Sequence, residues 1–161
     1  MTKLGSIYES EILIERIENL AAELELAARW QRPYVLLAVY GSELVRSQVE
    51  QALRAQLNGL GQETAYVKVK NRKASDIVNC LKQFTNPENT VFFFDGLQWS
   101  QAEPTDAYSA LNLQREFFIE RKVRVIFWLT QSEITALAHG APDFWTCRNR
   151  VIEFVDAPHE E

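Results

Sequence analysis

One acidic residue follows directly after a run of large apolar side chains near the middle of the chain. The run extends from Thr90 to Phe94, and Asp95 and Gly96 come next. An unbroken apolar run of this length is typical of a strand that is buried on both faces, inside a parallel sheet. Ligands of such sheets bind beyond the carboxyl ends of the strands. Asp95 is therefore placed where a carboxylate would face a cation or a phosphate group.

A second candidate site lies where the first predicted strand meets a helix. A phosphate-binding loop has the pattern GxxxxGK[ST], in which glycines open backbone amides to the phosphates, the lysine neutralises charge and the hydroxyl holds magnesium. When Arg46 and Ser47 are placed on the lysine–serine pair, Tyr40 and Val45 occupy the two glycine positions. Glu43 would then repel a phosphate. The competing interpretation is an ordinary strand-to-helix turn, with Glu43 favoured at the helix N-terminus.

Nucleotide hydrolysis would also need a group that orients water beyond Asp95. Gln98 and Trp99 occupy that region. A glutamine orients water in some nucleotide hydrolases, whereas an aromatic residue in a polar loop, such as Trp99, is suited to anchor a protein partner. Because the lysine of the loop is also missing, we assign no catalytic residue and expect that the chain is not an enzyme.

The elements that position these residues alternate between helix and strand. An amphipathic helix is predicted from residue 7 to about 30, and five strands separated by helices follow it. The strands are 34–40, 64–70, 90–94, 125–129 and 151–155. This alternation predicts a three-layer α/β sandwich with a mostly parallel five-stranded sheet. The expected organisation is an N-terminal helix and linker (1-33), an α/β domain (34-155) and a polar tail (156-161).

The N-terminal helix has its apolar residues at helical spacing. They are Ile7, Ile14, Ile17, Leu20, Leu24 and Ala28. We expect this stripe to pack on the core of the domain, and a docking helix for a partner is the alternative. Trp30, Trp128 and Trp145 are expected in the core, because large aromatic residues dominate cores.

Composition limits the partners and the compartment. The net charge is -5 and no cluster of lysine and arginine stands out, which argues against nucleic acid. No apolar run reaches the roughly 18 to 20 residues of a membrane span. Cys80 and Cys147, both in segments predicted to be buried, are the only cysteines and have no CxxC spacing, and there are two histidines. We therefore expect no metal and a reducing, cytoplasmic compartment.

The stretch 92–97 resembles the second nucleotide-binding motif of the STAND signal-transduction NTPases, in the NACHT-type form of hydrophobic residues followed by Asp-Gly-Leu-Asp-Glu. The last two acids of that motif fall on Gln98 and Trp99. Thr130, after the fourth strand, matches the polar sensor position of these proteins. The order of elements fits over roughly residues 34 to 155, so the resemblance implies a P-loop-NTPase-like sheet.

The second half of the chain resembles the end of bacterial STAND-like domains. The stretches that carry this likeness are 111–116, 125–129 and 141–154. Such domains often precede tetratricopeptide repeats or effector modules, and they commonly lack intact nucleotide motifs. The resemblance implies a degenerate, inactive NTPase domain of bacterial signalling or conflict proteins. It also implies a protein partner supplied in trans, such as a repeat or effector protein, and no cofactor.

Three functions remain open from the sequence. The favoured one is a non-catalytic scaffold or regulatory module, with partner-binding residues Gln98, Trp99 and Arg148; Arg148 and Arg150 would otherwise pair with Asp143 and Glu153. The alternative is a nucleotide switch with weak or no hydrolysis that binds Mg-ATP or Mg-GTP, with Asp95 holding the magnesium ion. Its nucleotide-binding residues would be Gly41, Arg46, Ser47, Asp95 and Thr130. A third is an unrelated enzyme on the same fold, although the possible triad of Ser132, His139 and Asp143 lacks nucleophile-elbow glycines.

Overall fold

Five parallel strands form one sheet in the computed structural model, which describes residues 3–68, 81–84, 87–95, 111–112 and 114–154, with side chains from residue 13 onward except that of residue 87. The strands are β1 (Tyr34–Tyr40), β2 (Glu63–Lys68), β3 (Thr90–Asp95), β4 (Arg124–Leu129) and β5 (Arg150–Phe154). Their spatial order is β2-β3-β4-β1-β5, and all neighbours are parallel. The predicted α/β class is confirmed, and β2 is an edge strand of the sheet.

Helices cover both faces of this sheet. The helices whose bounds are described are α1 (Lys3–Arg29), α2 (Glu43–Gly59), α3 (Arg115–Glu120), α4 (Gln131–Gly140) and α5 (Pro142–Thr146), with a short 3-10 turn at Pro87–Asn89. Helices α1 and α2 pack on one face, and α3, α4 and α5 pack on the other. Since side chains alternate along a strand, Phe93 enters the first core layer while Phe92 and Phe94 enter the second. The apolar run of β3 is unbroken for this reason.

Helix α1 packs on the core through the predicted stripe. Ile17, Leu20 and Leu24 are buried, and the core-facing interpretation of the helix is correct for them. Ile14 is exposed instead, because it lies about 80° around the helix from the centre of the stripe at 100° per residue. Among the described helices, none combines the length and hydrophobicity that a membrane crossing requires.

The tryptophans divide between core and surface. Trp128 is 1% exposed and packs edge-on against Tyr40, and Trp145 is half-buried. The prediction for Trp30 is wrong, because its side chain is 65% exposed. Trp30 follows the last residue of α1, where Gln31 adopts a positive φ of 54° and turns the chain towards β1. This turn holds the indole away from the core.

Two segments that carry the likeness to the end of STAND-like domains contact each other. The Asn112 side chain accepts hydrogen bonds from the backbone amides of Asp143 (2.7 Å) and Phe144 (3.0 Å). The N-cap residue of α5, Ala141, has no side-chain oxygen to do so. Asn112 therefore caps α5 from a distant part of the chain, and Arg115 lies 3.8 Å from the Asp143 carboxylate.

Replacing Asn112 with alanine should lower the free energy of unfolding by about 1–2 kcal/mol, because two amides at the start of α5 lose their acceptor. Urea denaturation measures this change. Asn58→Ala, at an exposed position near the end of α2, is the matched control and should stay within about 0.5 kcal/mol of wild type. Equal effects of the two substitutions would contradict the capping role of Asn112.

Candidate functional site

The predicted site residues meet at the carboxyl edge, the edge of the sheet at which the strands end. Gly41 follows β1, Asp95 ends β3 and Thr130 follows β4. The Arg46 Nε atom lies 3.9 Å from Asp95 Oδ2, so these two side chains are brought together. Among the described residues, no hydrogen bond joins Ser47 or Thr130 to Asp95.

The connection between β1 and α2 is a short turn. It consists of Gly41 and Ser42, since β1 ends at Tyr40 and α2 begins at Glu43. The Ser42 hydroxyl accepts a hydrogen bond from the Val45 amide at 3.2 Å. Amides that a phosphate-binding loop would turn towards its ligand therefore belong to the first turn of a helix. This is the geometry of the competing interpretation, an ordinary strand-to-helix turn.

Arg46 is a cation at the carboxyl edge, and acids surround it. Its guanidinium donates hydrogen bonds to Glu43 (2.9 Å) and Glu50 (3.2 Å) and lies over the Tyr66 ring, 5.9 Å from the ring centroid. Burial by itself lowers the pKa of Arg46, but the Glu43 hydrogen bond and the Asp95 charge outweigh it, so the pKa is raised. The positive charge of Arg46 is thus already balanced by carboxylates of the same chain.

Asp95 is 7% exposed and has two partners among the residues that the structure describes. Besides the contact with Arg46, it accepts a hydrogen bond from the Tyr66 hydroxyl at 3.1 Å. Burial, together with the Asp95 charge, raises the pKa of Tyr66 to about 12, so the phenol stays protonated and keeps donating. Sequence reasoning missed Tyr66, which reaches Asp95 because β2 and β3 are neighbours in the sheet.

Glu50 is the second residue that sequence reasoning missed. Its carboxylate is 9% exposed and accepts hydrogen bonds from Trp128 Nε1 (2.8 Å), Arg46 (3.2 Å) and Arg54 (3.3 Å). Burial raises the pKa of Glu50, against the opposing effect of these donors. A signal was present: Glu50 follows Val49 on the buried face of α2 and has an arginine four residues away on each side.

Acidic groups also surround Tyr40 at the carboxyl edge. Burial raises the pKa of Tyr40, and the charges of Asp95, Glu43 and Glu133 raise it further. A clustered negative potential of this kind opposes the binding of a polyphosphate. Among the described residues, no group of three His, Cys, Asp or Glu side chains is arranged to hold a metal ion.

Thr130 uses its hydroxyl to begin α4. It accepts a hydrogen bond from the Glu133 amide at 3.3 Å, and the Glu133 carboxylate accepts one from the Thr130 amide at 2.7 Å. This reciprocal pair is a capping box, and the sequence carries its pattern at residues 130–133. Ser132 lies inside the helix.

The remaining predicted residues have other surroundings. Arg148 stacks on Trp145, with the guanidinium carbon 4.1 Å from the ring centroid, and Arg150 pairs with Glu23. The predicted pairing of the two arginines with Asp143 and Glu153 is therefore wrong, because these side chains turn towards α5 and α1. Gln98, Trp99 and Cys80 lie outside the described residues.

The structure also argues against the possible triad, and the expected burial of Cys147 is only partly met. Ser132 and His139 are seven residues apart in α4, which separates them by about 10 Å at 1.5 Å per residue. They cannot act in one triad with Asp143. Cys147 is half-buried rather than buried, and its thiol contacts the Asp143 carbonyl at 3.4 Å.

Comparison with solved structures identifies the architecture. ORC2 of Aeropyrum pernix, solved in ADPNP-ADP complexes, superposes with a TM-score of 0.58 at 12% identity, over 88% of this chain and 47% of that one. A variant of Thermotoga maritima RuvB superposes with a TM-score of 0.51 at 16% identity, over 84% of this chain and 44% of that one. Drosophila ORC bound to AT-rich DNA and Cdc6 superposes with a TM-score of 0.50 at 11% identity, over 96% of this chain and 61% of that one.

The chain has a P-loop-NTPase-like fold. Identities this low are evidence of the fold alone. No family model matches the chain, and no curated protein sequence matches it. The P-loop-NTPase-like domain spans about half the length of the structures it resembles, between 44% and 61%.

Proposed function

We propose that this P-loop-NTPase-like domain is a non-catalytic scaffold or regulatory module that binds a protein partner in bacterial signalling. One observation carries the proposal. Arg46, which aligns with the lysine of a phosphate-binding loop, is held by Glu43 and Glu50 beside Asp95. The Arg46 guanidinium that a nucleotide phosphate would need is therefore already paired with carboxylates of this chain.

Electrostatics and loop length both support this proposal. A phosphate approaching Arg46 would also approach the Glu43, Glu50 and Asp95 carboxylates, and two like charges about 4 Å apart repel by about 4 kcal/mol at an effective dielectric constant near 20. Only Gly41 and Ser42 separate β1 from α2, whereas a phosphate-binding loop needs a longer segment with open amides.

The alternative is a nucleotide switch with weak or no hydrolysis. The proximity of Arg46 and Asp95 favours it, since a basic residue and an acid face each other at the edge where related folds bind ligands. The similar ORC2 structure was solved with ADPNP and ADP. In this alternative Mg-ATP or Mg-GTP binds with the magnesium ion on Asp95.

Thermal unfolding with and without about 5 mM Mg-ATP or Mg-GTP separates the two proposals. A nucleotide present at ten times its Kd would stabilise the domain by about 1.4 kcal/mol, a shift of about 3–5 °C for a chain of this size. We expect no shift beyond that of magnesium chloride alone. A shift that Asp95→Ala abolishes, measured against the nucleotide-free variant, would support the switch instead.

A protein is the proposed partner rather than a nucleic acid. The Drosophila ORC structure contains both DNA and Cdc6, and of these two kinds of partner the net charge of -5 favours a protein. Gln98, Trp99 and Arg148 remain the proposed contacts. Partner capture repeated with Trp99→Ala tests this surface.

A further inference from the structure

A groove lies at the end of the sheet where the strands begin, opposite the carboxyl edge that holds Asp95. It is formed between the end of α1 and the start of β1. It has a volume of about 390 Å³, and we call it the α1–β1 groove. Its lining residues are Glu23, Leu26, Ala27, Trp30, Arg32, Pro33, Tyr34 and Asn149. Because β1 begins at Tyr34 and ends at Tyr40, about 20 Å of strand separates this groove from the carboxyl edge.

The wall of the groove on α1 is apolar and open to solvent. Trp30 is 65% exposed and Leu26 is 48% exposed. These residues are four positions apart and so lie on the same side of the helix end. Exposed apolar side chains that line a cavity mark an interaction surface, and tryptophan is among the residues that contribute most to binding at protein interfaces.

Among the described lining residues of the groove, the acid is paired and the arginine is not, although the net charge of the chain is -5. Glu23 is the acid among the described lining residues, and it accepts hydrogen bonds from the Tyr34 hydroxyl and from Arg150. Its charge is therefore balanced. Arg32 is exposed, and no described residue forms an ion pair or side-chain hydrogen bond with it. An uncompensated guanidinium is thus presented beside the apolar wall.

We propose that the α1–β1 groove docks a short segment of a protein partner that carries a large apolar side chain next to a carboxylate. The apolar side chain packs on Leu26 and Trp30, and the carboxylate binds Arg32, whose planar guanidinium suits bidentate carboxylate binding. The inference rests on the proposed function for the nature of the partner, but it uses a different surface from the one at Asp95.

Peptide selection tests the groove without knowledge of the partner. Phage-displayed random peptides of about twelve residues are selected on the wild-type chain after depletion on a Trp30→Ala/Arg32→Glu variant. We expect the enriched peptides to combine Asp or Glu with Leu, Phe or Trp. A synthetic copy of one of them should lose at least about tenfold in affinity for Trp30→Ala and for Arg32→Glu.

Two controls make the selection specific. Leu44→Ala removes an equally exposed apolar residue at the start of α2 and should leave peptide affinity unchanged. A peptide whose acid is replaced by lysine should bind Arg32→Glu better than wild type, because the charges are exchanged. Thermal unfolding of each variant checks that these exposed substitutions leave the fold intact.

Several outcomes would overturn the inference. The first is that no enriched peptide depends on Trp30, and the second is that basic peptides are enriched. The third is self-association in sedimentation that Trp30→Ala abolishes, because this result would assign the groove to a second copy of the chain. Its failure is distinguishable from that of the proposed function. If nucleotide shifted the unfolding temperature while peptides still bound the groove, the scaffold role would be refuted and the groove would remain. If nucleotide caused no shift and no peptide bound, the scaffold would bind its partner through another surface.

Discussion

Replacing Glu50 with alanine is expected to lower the free energy of unfolding by about 3 kcal/mol or more. The Glu50 carboxylate accepts hydrogen bonds from Trp128, Arg46 and Arg54. Trp128 is buried to 1% exposure, so its indole N–H would have no acceptor after the substitution. Arg46 would also lose a buried counter-charge. Guanidinium denaturation, monitored by circular dichroism, measures the loss.

Glu43→Ala is the matched surface control. Glu43 also accepts a hydrogen bond from Arg46, at 2.9 Å, but it is exposed. Exposed ion pairs contribute about 0–1 kcal/mol, so this variant should remain within about 1 kcal/mol of wild type. If Glu43→Ala and Glu50→Ala were equally stable, the buried network would not be the stabilising feature of the carboxyl edge.

Glu50→Gln separates the charge of Glu50 from its hydrogen bonds. Burial raises the pKa of Glu50 above its ordinary value of 4.5, so the folded chain binds the proton more tightly than the unfolded chain. The stability from this shift is complete below pH 4.5 and is lost as the pH rises through the raised pKa. Wild type should therefore lose stability relative to Glu50→Gln over that range. Parallel pH profiles of the two proteins would contradict this reasoning.

Replacing Arg124 with alanine is also expected to cost about 3 kcal/mol. Arg124 is 1% exposed and donates hydrogen bonds to the Gln62 side chain (3.2 Å) and to the Glu88 carbonyl (2.7 Å). These bonds tie the start of β4 to the segments that enter β2 and β3. The substitution leaves buried acceptors without this donor and opens a cavity. Urea denaturation measures the change.

Arg124→Met tests whether charge or packing dominates at this position. Burial lowers the pKa of Arg124, and its buried Nε atom has no hydrogen-bond partner among the described residues, so keeping this cation inside has a cost. Methionine fills much of the space without the charge, and we expect it to recover about half of the loss. Arg29→Ala, which breaks an exposed pair with Glu25, should change stability by less than about 1 kcal/mol. If Arg124→Ala changed the free energy of unfolding no more than Arg29→Ala does, the stabilising role of Arg124 would be refuted.

Most of the sheet could be predicted from local patterns. An unbroken apolar run such as Thr90 to Phe94 has to be covered on both faces, which requires a central strand and helices above and below it. The predicted bounds of β1 are those observed. Strands β4 and β5 each begin one residue earlier than predicted, and Val155, the predicted end of β5, lies outside the described residues. The position of Asp95 at the carboxyl edge follows from the same pattern, because an acid cannot continue a buried strand without partners.

The two residues near Asp95 that sequence reasoning missed could not be predicted in the same way. Tyr66 and Glu50 reach the site from β2 and α2, and their positions depend on the spatial order β2-β3-β4-β1-β5. Local periodicity specifies which face of an element is buried, but it does not specify which strands are neighbours. The prediction that Trp30 is buried failed for a related reason. The direction in which α1 ends places this side chain on the surface, despite the general tendency of tryptophan to be buried.

The sequence by itself therefore determined the α/β class, the limits of most strands and the place of Asp95 at the carboxyl edge, since these depend on the burial of nearby residues. Only the tertiary structure decided that Arg46 also lies beside Asp95 and that the α1–β1 groove exists at the other edge. The contact between Arg46 and Asp95 joins α2 to β3, and the groove depends on how α1 packs beside the start of β1 and Asn149, so both features depend on how helices and strands are arranged in space.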